Sequence, residues 1–506
     1  MADHDIQTVF LFGAGAEVPM GMPSGGRFAL DVISSRYDGD IKATLKGAVQ
    51  AVRDAIRQEP LAYCDYSEWS GIGKRRANSV NAPDSRDQKS IFVSTIENSR
   101  QTILQTIQEC DEAITGACAT HGVVLPAPGE NPAAAGENPL IQNAGALARL
   151  TQSPAIWSLI TLSNNDDSAG IYFWPVIRMY FELAIAVGGQ DLAAQLNNLQ
   201  VGDADTTQQI FQNANHLFHV DFGNLGLEAL DIAVSRAFPN ENTPDPNRPE
   251  RPAALEIISG VMERIVDYQR LIERFLPALY KPAVSWAKFT KAAFLLYRMR
   301  SAIRSHVDEV DTQVPSYYTD IVQSEMVEKS LFATTNYTDL ILQSSRIPKD
   351  RVIWLNGHID TILDPYRNET TRKANGGRKH ICVPYMIAQS VVKPMMTPQT
   401  IEEYARFSEA VTTASQVVVV GYGFGAIDSH VNAVIRHAVE SDHGLNVAIF
   451  VHQHDPAFVD ARDTILSRLR LNEDPGKNRL AVYSVDDERK ADASGWIEMI
   501  HVDGAP

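Results

Sequence analysis

Residues 8–12, TVFLF, form a short branched and aromatic apolar run that stops at Gly13-Ala14-Gly15. An apolar strand that runs straight into a glycine turn is the opening of a nucleotide-binding β–loop–α unit. No other feature of the chain narrows the choice of fold as much. Arg27 to Ile33 then reads as the start of a helix.

From about 36 to 325 strand-like runs become scarce and helical spacing dominates. Val261, Ile265, Tyr268, Ile272 and Phe275 recur at steps of four and three, one face of a helix that Pro277 ends or kinks. A second helical stretch covers about 285–307. Two loops interrupt the region: 125–139, which repeats Gly-Glu-Asn-Pro at 129–132 and 136–139, and 239–252, with five prolines. Proline restricts itself and the residue before it, so neither stretch is expected to be helical.

From 328 the alternation of strand and helix returns. Leu331–Thr334, Val352–Leu355, Val447–Val451 and Leu480–Tyr483 read as strands, and Asp428–Val439 as a helix. The four valines Val417–Val420 match a strand covered on both faces of a parallel sheet. The expected fold class is α/β: a Rossmann-like parallel sheet with a large, mainly α-helical insertion after the first βα unit. The expected division is a first βα unit at 1–35, a helical insertion at 36–325, and the remainder of the sheet domain at 326–506.

Charge limits the partners. Against 45 Lys and Arg stand 62 Asp and Glu, a formal net charge of −17, which repels nucleic-acid phosphates and anionic membranes. The basic clusters Lys74-Arg75-Arg76 and Arg372-Lys373 with Arg378-Lys379 are short and read as solvated loops. Cys64, Cys110, Cys118 and Cys382 form no CxxC pair and have no His at zinc-finger spacing, so no metal is expected and the thiols read as free, in a reducing compartment. Met1–Thr8 has no basic n-region, and no window approaches the roughly 20 apolar residues of a membrane span. A cytoplasmic protein is expected.

Four segments carry the chemistry. The first is Gly13-Ala14-Gly15-Ala16-Glu17 with Gly21-Met22-Pro23-Ser24, whose backbone N–H groups can face a pyrophosphate at a helix N-terminus. The second is Thr334-Thr335-Asn336-Tyr337-Thr338-Asp339, polar groups just past an apolar strand, where open α/β sheets bind ligands; an N-cap by Thr335 or Asn336 would explain it equally well. The third, Trp354-Leu355-Asn356-Gly357-His358, brings a His, the side chain best suited to take a proton near neutral pH. The fourth is Gly421-Tyr422-Gly423-Phe424-Gly425 through Asp428, His430 and Asn432, a second glycine turn at a strand end. Two such turns on one sheet can frame a dinucleotide, although an ordinary strand–turn–helix connection has the same sequence.

Together and in this order the four segments resemble the sirtuin-related SIR2-like family, whose bacterial members show GAGxS…GxP, TTNYD, LHGS and VVVxGYSFGD…HIN. The likeness covers about 20 residues at the start and roughly 330–455. It implies a Rossmann-like domain that takes NAD as substrate and cleaves its nicotinamide–ribose bond. By motif match Asn336 falls on the family's catalytic Asn, with His358 and Asn356 as the other catalytic candidates. Gly13, Ala14, Gly15, Ala16, Glu17, Pro23, Ser24, Thr335, Asp339, Gly421, Gly423, Phe424, Asp428, His430 and Asn432 fall on or beside the nucleotide-contacting loops.

The sequence departs from the pattern at three places. Asn356 stands where the family has its catalytic His, with His358 two residues on. Three readings stay open: His358 acts through a shifted loop, the site binds without turnover, or Asn356 is an inactivating replacement. Glu17 replaces the Ser of GAGxS, and Thr338 the Asp of NYD. The paired CxxC motifs of deacetylating sirtuins are absent, which argues for the branch that destroys NAD. That branch implies an NAD hydrolase releasing ADP-ribose and nicotinamide, as the effector of an antiphage system. Partners would be copies of this chain or a second protein of a defence operon. The alternatives are a silent NAD or ADP-ribose sensor, a protein-modifying enzyme, and a helical protein with a relic nucleotide fold.

Overall fold

The computed structural model describes residues 6–23, parts of 27–50, 100–127, 146–198, 248–265 and 286–502, the last span without 323, 366, 372–381, 388–396, 426–427, 442–444, 454–459, 472–474 and 492–493. The chain divides into two compact units. One comprises 1–24, 37–81 and 272–506 and holds the sheet; the other comprises 25–36 and 82–271.

The sheet has six strands: β1 (Thr8–Phe12), β2 (Ser330–Thr334), β3 (Val352–Trp354), β7 (Gln416–Val420), β8 (Asn446–His452) and β9 (Leu480–Val485). They lie in the order β3-β2-β1-β7-β8-β9, and every neighbouring pair is parallel. Taken in chain order this is 3-2-1-4-5-6, the strand order of doubly wound dinucleotide-binding sheets. The chain reverses its direction of travel across the sheet between β1 and β7. In open α/β sheets this switch point, at the carboxyl ends of those two strands, is where ligands bind.

Continuous apolar runs make this sheet because both faces are covered. Val9, Leu11, Leu331, Val417, Val419 and Ile449 share one layer with Phe407, Val431 and Ile435. Those partners come from helices α4 (Pro398–Thr413) and α5 (Ser429–Glu440). Phe10, Phe12, Phe332, Val418 and Phe450 turn the other way, onto Tyr317, Tyr318 and Trp496. The first two belong to α2 (Tyr317–Val322), and Trp496 opens α7 (Trp496–Val502). The unit also contains α1 (Trp286–Val307), α3 (Leu340–Ser344) and α6 (Ala461–Leu469). The start of α4 shows how locally these elements are coded: the Thr397 hydroxyl accepts the Thr400 N–H at 3.3 Å, and Pro398 takes the first helical position.

A second, antiparallel sheet of order β5-β4-β6 joins β4 (Gly357–Asp364), β5 (Glu369–Thr371) and β6 (Val383–Met386). It was not anticipated, because Gly357-His358 reads as a motif loop. The boundary of the expected insertion also moves. Residues 272–325 belong with the sheet: Tyr317, Tyr318 and Ile321 sit in its core, and the Tyr297 hydroxyl donates to the Cys382 carbonyl at 3.1 Å.

The helical unit contains helices at Arg100–Gln108, Cys110–Thr120, Ala146–Gln152, Pro154–Asn165, Asp167–Asn198 and Glu250–Ile265. Ile107, Ile114, Leu150, Ile156, Leu159, Phe173 and Met262 are buried in it. Ser153 caps the helix at Pro154, accepting from Ile156 N–H at 3.2 Å. Pro252 corrects the expectation of a non-helical 239–252. It sits in the first turn of Glu250–Ile265, where its missing N–H has no intrahelical partner to lose. Residues 239–247, the GENP repeats, Tyr268–Pro277, Cys64 and both basic clusters lie outside the described residues. Among the described residues no helix is long and apolar enough to cross a membrane.

Candidate functional site

The two glycine turns meet at the point where the strand order reverses. Gly13 N–H donates to Val420 O at 2.9 Å and Gly15 N–H to Gly421 O at 2.9 Å. The turns are so close that a Cβ on Gly13 would stand 2.5 Å from Gly421 O, and one on Gly421 would stand 2.2 Å from Ala16 N. Gly421 also has φ +61°, a left-handed conformation that favours glycine. Approach of one turn to the other thus accounts for these glycines without a ligand.

The expected phosphate cradle is reduced by the same bonds. Ala16 N–H closes on Gly13 O and Glu17 N–H on Ala14 O, so the turn spends the N–H groups of residues 13, 15, 16 and 17 internally. It continues into two short 3-10 turns, Ala14–Ala16 and Val18–Met20, rather than into a regular helix. Helix is described again at 27–28 and 31–32, within the expected 27–33, and residues 24–26 lie outside the described residues. Ala14 and Gly15 are exposed, Gly13 and Ala16 buried, Pro23 half-buried. Ser24 lies outside the described residues.

Asn336 ties β2 to this turn. Its Nδ2 donates to Gly13 O at 3.0 Å, and its backbone N–H is held by the Thr334 hydroxyl at 3.0 Å. Thr335 N–H donates to Phe12 O at 3.0 Å, extending the β1–β2 ladder beyond both strands. Asn336 is 7 % exposed. With Nδ2 committed to a carbonyl, the orientation of the amide is set by its hydrogen bond.

Behind Asn336 lies a buried carboxyl. Glu17 is 4 % exposed. It accepts from the Thr338 hydroxyl at 2.6 Å and the Tyr318 hydroxyl at 3.0 Å. Burial pushes its carboxyl above the ordinary 4.5, against these hydrogen bonds and one from Asn336, which favour the ionised form. Glu17 therefore points into the protein and not toward the open edge. Tyr318, from a segment with no motif, could not be linked to Glu17 from sequence.

The third segment divides. Asn356, at the end of β3, donates from Nδ2 to Thr335 O at 3.2 Å, and its Oδ1 is buried without a hydrogen-bond partner. Gly357 comes next with φ +86°, and a Cβ there would meet Tyr385 O at 2.4 Å. His358 is on strand β4, not in a loop. Its Nδ1 accepts the Asp360 N–H at 3.0 Å and its ring stands edge-on to Trp354. Burial lowers its pKa, so the imidazole is neutral at neutral pH. His358 lines a cavity of about 410 Å³ with Asp339, Trp354, Arg300, Arg304 and Lys349, and no residue of either glycine turn borders it.

The fourth segment is braced from within. The Asn432 side chain accepts from the Tyr422 hydroxyl at 2.9 Å and donates to Phe424 O and Gly425 O at 3.2 and 3.0 Å. This staple supports Phe424, fully buried with φ +50°. His430 Nε2 is 2.7 Å from the Tyr404 hydroxyl. Gly423 is exposed with open space around it, and Asp428 is half-buried at the start of α5. Among the described residues no group of His, Cys, Asp or Glu is placed to hold a metal; Cys110, Cys118 and Cys382 are buried.

No protein-family model matches the chain, and no curated protein and no solved structure does so either.

Proposed function

We propose that the chain is a SIR2-like NAD hydrolase that splits the nicotinamide–ribose bond. The observation that carries the reading is the buried Asn336 amide, tied to Gly13 where the order of a 3-2-1-4-5-6 parallel sheet reverses. Loss of nicotinamide develops positive charge on the ribose, as in glycoside hydrolysis. Carboxamide oxygens held in a water-poor site stabilise such a charge and orient the attacking water. Asn336 and Asn356 both have their nitrogens anchored on backbone carbonyls, which leaves their oxygens for that task. An oxocarbenium-like centre needs a positioned water more than a strong base, so Asn356 in place of a His is compatible with slow turnover.

One contact links two departures from the family pattern. That pattern has a hydroxyl at position 17 and a carboxylate at 338; here Glu17 and Thr338 carry them the other way round, across a 2.6 Å hydrogen bond. The exchange supports the resemblance, because each change makes sense only with the other.

In this reading the protein is an NAD-depleting effector of antiphage defence, held inactive until a second copy or a second defence protein engages it. That biological role comes from the resemblance alone. A nucleotide-binding sensor without turnover is the second reading. It is favoured by Asn356, which cannot act as a base, and by His358, which faces another cavity. Asn336→Ala decides between them: the hydrolase loses nicotinamide release about 100- to 1,000-fold while still binding NAD, whereas a sensor shows no release to lose.

A further inference from the structure

The cavity under His358 is a site in its own right. It is formed by α1, the β2–α3 connection, the approach to β3, and β4, and holds about 410 Å³, within the range of small-molecule pockets. Leu342, Trp354 and Ile362 give it an apolar wall. Arg300, Arg304 and Lys349 face it with two acids, Asp339 and Asp360. The acids are already engaged. Asp360 pairs with Arg304 at 2.5 Å, and Asp339 accepts from Gln343 Nε2 at 2.7 Å.

Among the described residues Arg300 makes no close ion pair, and Asp360 acts on it only from a distance. Its Nε is buried and makes no hydrogen bond, and burial together with the neighbouring Arg304 depresses its pKa. A half-buried guanidinium beside a second cation is costly unless something negative completes it. His358 adds a donor. Because Nδ1 accepts a backbone N–H, the neutral ring carries its proton on Nε2.

We infer that this cavity binds a small phosphate-bearing metabolite, its phosphate taken by Arg300 and Lys349 and its body laid against Trp354. A guanidinium fork matches phosphate oxygens two at a time, and a lysine supplies a mobile second charge. A dianion fits the two uncommitted cations better than a monocarboxylate does. The inference stands on its own observations and does not depend on NAD at the glycine turns.

The test is calorimetric titration of the full chain with inorganic phosphate, pyrophosphate and AMP, with succinate as the dicarboxylate control. The expected result is one bound phosphate compound per chain, weakening with salt. Lys349→Ala and Arg300→Gln should each reduce affinity about 10- to 100-fold. Lys349 is exposed, so its variant keeps the fold even if Arg300→Gln lowers stability, which a thermal melt reports. Absence of binding at millimolar concentration, equal affinity in wild type and Lys349→Ala, or succinate binding as tightly as AMP would each overturn the inference. None of these readings involves NAD cleavage, so failure here leaves the hydrolase proposal standing, and the converse holds.

Discussion

The carboxyl edge of β1 and β7 and the cavity under His358 are built from the same few strands, yet they hold polar groups in opposite ways. At the edge the polar side chains are neutral amides and hydroxyls: Asn336, Asn356 and Thr335, anchored on backbone carbonyls. Of the carboxyls there, Glu17 is turned inward with a raised pKa and Asp428 is half-buried at the start of α5. Under His358 three cations face two acids, of which Asp360 is paired with Arg304 and Asp339 accepts from the Gln343 amide. An edge of amides suits a ligand whose charge appears during reaction; a cavity of cations suits a ligand that arrives charged. The difference also separates rigid from adaptable parts. The glycine turns are locked by backbone contact, whereas Arg304 and Lys349 are exposed side chains on long stems.

The comparison breaks most easily at Gly421. A Cβ there must displace Ala16 N at 2.2 Å and adopt φ +61°, so Gly421→Ala should cost about 3 kcal/mol of stability. Denaturant unfolding measures this, and a neutral result would mean the two turns do not meet as described. Gly423→Ala is the control: with open space around it, it should change stability by less than about 1 kcal/mol.

Asn356→His is the next largest test. If the hydrolase lacks only a base, the variant should raise nicotinamide release about 100-fold, the usual worth of a placed general base. A fall in release would mean that the reaction uses the buried Oδ1 of Asn356, and unchanged release would mean that position 356 does not limit turnover.

The smallest effect concerns Glu17. A carboxyl whose folded pKa is raised binds its proton more tightly in the folded state. Its stabilising contribution is complete below the unfolded value of about 4.5 and is lost as pH rises through the folded value. Glu17→Gln keeps an acceptor for Thr338 and Tyr318 without the charge. Its melting temperature relative to wild type should therefore improve as pH rises above about 4.5; a difference independent of pH would show that Glu17 is not the titrating group.

Much of the sheet was legible because burial on both faces writes itself as uninterrupted apolar runs. The expected strand at Val417–Val420 is observed at Gln416–Val420, and that at Val447–Val451 at Asn446–His452. The expected helix Asp428–Val439 is observed at Ser429–Glu440. The antiparallel sheet stayed hidden, since Gly357-His358 reads as a motif and not as a strand. The candidate site was legible only in part. Sequence brings Asn336 to the strand end, but the bond from Asn336 to Gly13 spans 323 residues and the one from Tyr318 to Glu17 spans 301. No local pattern encodes such pairs. The glycines misled in one respect: they suggested close approach of a pyrophosphate, whereas the two turns approach each other.

Incubation of the purified full chain with NAD, followed by chromatography for nicotinamide and ADP-ribose and by an equilibrium binding measurement, tests the central claim most directly. The hydrolase reading predicts that NAD binds and that both products form in equal amounts, dependent on Asn336. Absence of both binding and release at millimolar NAD would contradict it and leave the carboxyl edge of β1 and β7 without its proposed ligand.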